Sequence, residues 1–126
     1  MKILVVDDEQ DIKTLFLQWF RREIREGKFE FSFKYSGEQA LTFLKEQEEA
    51  HEAILILSDI NMPGMNGLEL LRRIKLENPV PPPIVMMITA YGDKENREYA
   101  KQLGADDLLN KPLDFHALKA RLTSLL

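Results

Sequence analysis

The sequence predicts an α/β domain built on one five-stranded parallel sheet with helices on both faces. Three observations predict it. Short apolar runs recur along the chain, helical periodicity fills the gaps between them, and 126 residues are the ordinary size of one domain. A chain of this size buries roughly two-thirds of its unfolded surface and folds without staples.

The predicted strands are Ile3–Val6, Phe29–Tyr35, Ile54–Leu57, Ile84–Ile88 and Ala105–Leu109. The first, third and fourth are nearly continuous in aliphatic residues, as strands buried on both faces are. The second alternates: Phe29, Phe31, Phe33 and Tyr35 fall on one side, with Glu30, Ser32 and Lys34 on the other. That pattern predicts an edge strand with one face toward solvent. The fifth is the weakest pattern, because Asp106 and Asp107 interrupt it.

Five helices are expected between and after these strands. Ile12, Leu15, Phe16, Trp19 and Phe20 form a broad stripe at 3.6-residue spacing. Ser36 is placed to cap a second helix, which Ala40, Leu41 and Leu44 would dock, although Glu38 stands one residue early for a capping box. Leu68, Leu71 and Ile74 mark a third helix that stops before Asn78-Pro79. The segment Asp93–Leu103 is poorer, with only Tyr99, Ala100 and Leu103 able to dock, and is expected to be the least firmly held. Phe115, Leu118, Leu122 and Leu125 mark the last helix, after Pro112 and a capping Asp114.

Alternation of strands and helices implies layers around a parallel sheet, and right-handed crossovers leave few topologies. Helices on both faces require a doubly wound order, and five strands suggest the flavodoxin-like order 2-1-3-4-5. The run 79–83, Pro-Val-Pro-Pro-Pro, is too short for a domain linker and reads as a stiff entry into the fourth strand. Residues 1–126 are therefore taken as a single domain.

Composition excludes several functions. With no cysteine, disulfides, thiolate metal sites and a cysteine nucleophile are ruled out, and a reducing, cytoplasmic setting is expected. A net charge of −4 argues against nucleic-acid binding by this domain alone. No apolar run approaches the roughly 20 residues that span a bilayer, and the first residues read as a strand rather than a signal peptide. Neither a phosphate-binding Gly-x-x-x-x-Gly-Lys-Ser/Thr loop nor a Gly-x-Gly-x-x-Gly turn occurs. His51 and His116 lie off the predicted strand ends and read as surface residues.

Ligands of such sheets sit beyond the C-terminal ends of the strands. Asp7, Asp8 and Glu9 follow the first strand; Asp59 and Asn61 follow the third; Thr89 follows the fourth; Lys111 follows the fifth. Any one of these is ordinary, since aspartate commonly caps or turns a chain. Complementary chemistry at four strand ends is not. Like charges about 4 Å apart repel by about 4 kcal/mol at an effective dielectric near 20. Gathered carboxylates would therefore drift up in pKa unless a cation joined them. Oxygen donors without a nearby His or Cys suit Mg²⁺, with Mn²⁺ as a substitute, rather than zinc or copper. A carboxylate is also a competent nucleophile toward phosphorus. Asp59 stands alone at its strand end and suits that role; Asp7 and Asp8 are better placed to hold metal. Lys111 would pair with a phosphoryl group and Thr89 would donate a hydrogen bond to it.

The residues Ile3-Leu4-Val5-Val6-Asp7-Asp8-Glu9, the run Asp59-x-x-Met62-Pro63-x-Met65-x-Gly67, Ile88-Thr89-Ala90, and Gly104-Ala105-Asp106-Asp107 through Lys111-Pro112-Leu113 make the chain resemble a response-regulator receiver domain over essentially its whole length. The resemblance implies that Asp59 takes a phosphoryl group from a histidine kinase or histidine phosphotransfer protein. It implies carboxylates from Asp7, Asp8 and Asp59 and the backbone carbonyl of Asn61 around Mg²⁺. It further implies that Thr89 moves toward the phosphoryl group, that Lys111 binds it, and that Pro63-Gly64 forms a tight turn. A downstream effector domain or protein would read the result, and a phosphorylation-dependent homodimer is compatible with it. The chain would be a phosphoacceptor with slow autodephosphorylation rather than an enzyme acting on a separate substrate.

One position departs from the family pattern. Three residues before the lysine the family often has Tyr or Phe, whose rotamer reports the active state; here Leu108 stands. Tyr91, two residues after Thr89, is the aromatic expected to swing near the site instead and, with Asn61, to flank attacking water. Two competing readings are an aspartate-nucleophile phosphohydrolase and a phosphorylation-independent interaction module. The first lacks an Asp-x-Asp after its first strand, and the full set of acids, Thr89 and Lys111 opposes the second.

Overall fold

A computed structural model describes residues 1–47, 54–77, 82–90 and 92–126. The strands are β1 (Lys2–Val6), β2 (Glu30–Lys34), β3 (Ile54–Asp59), β4 (Ile84–Ala90) and β5 (Asp107–Lys111). All neighbours pair parallel, in the order β2-β1-β3-β4-β5. The expected topology is therefore present, with β2 and β5 as edges.

The aliphatic runs in β1, β3 and β4 are explained by two apolar layers. Leu4, Val6, Ile54, Ile56, Val85 and Met87 face one layer, and Ile3, Val5, Leu55, Leu57, Met86 and Ile88 face the other. Helices α3 (Gly37–Gln47), α4 (Gly67–Glu77) and α5 (Lys94–Gln102) cover the first through Ala40, Leu70, Leu71, Ile74 and Ala100. Helices α1 (Asp11–Trp19) and α6 (Phe115–Thr123) cover the second through Phe16, Leu118 and Leu122. Every central side chain that alternates away from one layer thus enters the other, so no polar position is left in these strands until their ends.

Caps fall where expected. Ser36 Oγ accepts from the Gln39 amide at 3.1 Å, and Asp114 Oδ1 accepts from the Ala117 amide at 3.1 Å. Gln39, rather than Glu38, supplies the reciprocal bond, its Oε1 accepting from the Tyr35 amide at 3.1 Å.

Four expectations are corrected. The first helical stripe is not one helix: it breaks at Phe20 (φ −108°, ψ 16°), and α2 (Arg21–Arg25) follows. The break leaves Phe20 fully buried against Phe16, Phe29 and Phe31, whereas Leu15 (40 % exposed) and Trp19 (39 %) lie on the surface. Trp19 instead stacks on Phe115 of α6, with centroids 5.7 Å apart and planes at 9°, and meets His116 edge-on. The fifth strand begins two residues later than expected. Its acids do not interrupt it: Asp106 ends the preceding loop, accepting from the Val85 amide (2.8 Å) and Lys75 (3.2 Å), and Asp107 opens the strand paired to Arg121 (3.1 Å). Tyr99 is 49 % exposed and does not dock α5, which buries Ala100 and rests Leu103 against the core. Leu125 falls beyond α6 and is exposed. The expectations for His51 and for residues 79–81 lie outside the described residues; His116 is exposed, as expected.

Phe16 is the hub of the aromatic layer, in ring contact with Phe20, Phe31, Phe33 and Phe115. Phe16→Ala should cost about 3–5 kcal/mol, the range for emptying a buried aromatic site. Leu15→Ala, on the same helix, should cost less than about 1 kcal/mol, as exposed substitutions do. Urea unfolding of the two variants measures the contrast.

Candidate functional site

The parallel register levels the strand ends. Val6 pairs with Ser58, Asp59 with Ile88, and Ala90 with Lys111. Asp7 and Asp59 therefore emerge at one height, with Thr89 one residue and Lys111 two residues further along their strands. Asp7 is 2 % exposed, and its amide donates to the Lys34 carbonyl at 3.1 Å, which extends the β1–β2 ladder by one bond. Its Oδ1 accepts from the Glu9 amide at 2.9 Å, so the chain turns at once into α1. Asp8, next along, is exposed.

Asp59 is the last residue of β3 and is 1 % exposed. Its Oδ1 accepts from the Asn61 amide at 3.2 Å, and its Oδ2 accepts from Lys111 Nζ at 2.7 Å. One carboxylate oxygen from each of Asp7, Asp8 and Asp59 lies within 4.8 Å of the others. Thr89 is fully buried in β4, and its Oγ1 has no hydrogen-bond partner among the described residues. Asn61 is exposed at the mouth of the loop.

Electrostatics follow from this crowding. Burial pushes the Asp7 carboxyl above its ordinary value, and the charge of Asp59 pushes the same way. The Glu9 amide and the Lys111 ammonium offset part of the rise. For Lys111, burial opposes the charged form, but the hydrogen bond and charge of Asp59, with Asp7 and Glu9 behind them, outweigh it and hold the ammonium above the usual lysine range. Among the described residues, Lys111 is the cation bonded into this group of converging carboxylates, through Asp59. The donor set is all oxygen, with hard charged ligands and open solvent at Asp8, which fits a hard divalent cation such as Mg²⁺. Among the described residues no other group of three acids or histidines converges in this way.

The structure brings Asp7, Asp8, Asp59 and Lys111 to one place, with Thr89 on the strand between Asp59 and Lys111. Tyr91 lies outside the described residues. Leu108 sits mid-strand opposite Met87, half-buried and packed on the side of α5. Gly64 takes φ 74°, left-handed, in the Pro63-Gly64 segment where the resemblance implies a tight turn, whereas the role of Gly67 was not expected. A Cβ on Gly67 would run into the carbonyl oxygen of Asp59, so the start of α4 can lie directly on the strand end only because residue 67 has no side chain.

The family model of the response regulator receiver domain matches residues 3–123. The chain belongs to this family. Among curated relatives, this receiver domain is similar to the transcriptional regulatory protein CpxR of Escherichia coli (strain K12), at 34 % identity over 99 % of this chain and 49 % of CpxR. It is also similar to the response regulator ArlR of Staphylococcus saprophyticus, at 31 % identity over 99 % of this chain and 52 % of ArlR. The chain spans about half the length of these relatives. Among solved structures it matches the chemotaxis response regulator CheY4 of Vibrio cholerae with a TM-score of 0.78 and 26 % identity, covering 99 % of this chain and 98 % of CheY4. Among the described residues, no helix is long and apolar enough to cross a membrane.

The receiver's acid pocket predicts a pH-dependent penalty. Because burial raises the folded pKa of Asp7 above that of an ordinary aspartate, the unfolded chain ionises first as pH rises, and folding is penalised above that point. Asp7→Asn should therefore stabilise the metal-free protein at neutral pH, within the roughly 0.5–2 kcal/mol that single stabilising substitutions commonly give. The gain should vanish as pH falls through the ordinary aspartate range. Urea midpoints of both proteins between acid and neutral pH check the sign.

Proposed function

We propose that this receiver domain accepts a phosphoryl group on Asp59 from a histidine kinase or histidine phosphotransfer protein, in a reaction that depends on Mg²⁺. The observation that carries the reading is the buried Asp59 carboxylate at the end of β3, bonded to Lys111 and converging with Asp7 and Asp8. Asp7, Asp8 and Asp59, with the carbonyl of Asn61, would hold the ion, which when bound supplies positive charge to phosphoryl oxygens. A carboxylate oxygen of Asp59 attacks phosphorus, the bond from phosphorus to the donor imidazole nitrogen breaks, and the imidazole leaves with the electron pair and takes up a proton. Lys111 exchanges its bond to the Asp59 carboxylate for one to a phosphoryl oxygen. Thr89 turns its unpaired hydroxyl to the same group. Water attack on phosphorus then restores Asp59 and releases phosphate, the slow autodephosphorylation expected of the domain.

Phosphorylation adds about two negative charges at the strand ends. Lys111 and Thr89 sit on β5 and β4, the strands that follow and precede α5. Helix α5 buries a single residue, Ala100, and is the natural two-state element. Moving it from 1:99 to 99:1 would take about 5.5 kcal/mol. One ion pair and one hydrogen bond supply about half, so the shift is partial and partner binding completes it. An effector domain or protein, or a second copy, would read the shifted face in the cytoplasm.

Acetyl phosphate with Mg²⁺ should give a slower Phos-tag band that disappears in Asp59→Asn and with chelator. Absence of that band in the wild type overturns the reading. A Mg²⁺-bound phosphoryl mimic should change amide exchange about residues 89–103 more than in α1; unchanged exchange there would remove α5 from the switch.

A further inference from the structure

We infer that the first turn of α3, through Glu38, is a positioning device for the acid site, although it contributes no group to the chemistry. The inference rests on the phosphoacceptor reading above. Both acid-bearing segments are tied to this one turn. On one side, the Asp7 amide donates to the Lys34 carbonyl at 3.1 Å, and the following Tyr35 amide donates to Gln39 Oε1 at 3.1 Å. On the other, Glu38 Oε1 accepts from the Met65 amide at 3.3 Å, a bond that bridges 27 residues of sequence.

The second tie matters because of what Met65 closes. Residues 61–66 form the loop that follows Asp59 and carries Asn61. Its base is closed by the Gly67 amide donating to the Ile60 carbonyl at 2.8 Å, with Gly67 pressed on the Asp59 carbonyl. Beyond Met62, the rest of the loop is largely exposed, and Met65 is its far anchor: the side chain packs on the core and the amide is held by Glu38. The α3 backbone is close enough that a Cβ on Gly37 would lie 2.8 Å from Met65 Sδ. Helix α3 therefore grips the loop through the Met65 side chain against Gly37 and the Met65 amide on the Glu38 carboxylate. An exposed glutamate on a helix ordinarily points into water; this one spends an oxygen on a distant loop amide. Holding that loop limits the positions open to the Asn61 carbonyl and to Asp59, and so preorganises the site for its ion.

The experiment measures Mg²⁺ affinity by calorimetry, and Met65 amide exchange without metal, in wild type, Glu38→Ala and Glu38→Gln. Glu38→Ala should weaken Mg²⁺ binding about 3- to 10-fold, below the 10- to 100-fold typical of buried outer-shell partners, and should speed Met65 exchange. Glutamine keeps an acceptor oxygen without the charge, so Glu38→Gln should stay within about twofold of wild type in both readouts, as expected if the neutral bond suffices. Unfolding midpoints should be alike in all three. Wild-type affinity in Glu38→Ala overturns the inference. Equal losses in Ala and Gln overturn it too, because charge and not the loop bond would then matter. A wild type that binds no Mg²⁺ overturns the underlying reading and this inference together.

Discussion

The mutual repulsion of Asp7, Asp8 and Asp59 is the constraint from which the rest of this molecule follows. Two of the three carboxylates are almost wholly removed from water, and among the described residues Lys111 is the cation that bonds one of them, at Asp59. Such a cluster would be expelled from a flexible surface. Here the strands that carry it are buried on both faces and locked in parallel register, so the chain cannot move one acid without breaking the ladder behind it. The sheet absorbs the cost of bringing the charges together, and the imbalance that remains favours a cation among them.

The same constraint explains why so much was legible in the sequence. A strand buried on both faces admits polar residues only at its ends, so Asp7, Asp59 and Thr89 stood out as the residues where aliphatic runs stop. Edge elements obey weaker rules. In β5 the acids that seemed to interrupt a strand are its entry, satisfied by Val85, Lys75 and Arg121, and none of those partners is near in sequence. The break at Phe20 was hidden for a related reason. Periodicity assigns Leu15 and Trp19 to the same stripe as Phe16, and only the competing aromatics of β2 decide which rings go inside. Gly67 and Glu38 were legible as residue types, not as roles, because each acts on backbone atoms brought close only by the fold.

Under the proposed reading, Leu108 would bear on how the site is coupled to the surface. Its side chain packs with Leu103, Ala105 and Ala100 against the layer beneath α5. An aliphatic group so placed follows the helix by packing, without a polar tip that must choose between solvent and interior. Thr89, by contrast, has a buried hydroxyl with nothing to bind among the described residues, a cost in the resting state that a new acceptor at Asp59 would relieve. Coupling through this pair would consist of a hydroxyl finding a partner and an apolar contact readjusting.

The stacking of Trp19 on Phe115 has a practical side. The chain has one tryptophan, and its neighbours Phe115, His116 and Lys119 all belong to α6. The indole is half in water and half against a ring, an arrangement in which emission colour and quenching follow small changes in the seat of a helix. This protein therefore carries its own dye on the α1–α6 side, tuned to the seating of its last helix and deaf to rearrangements confined to the opposite face.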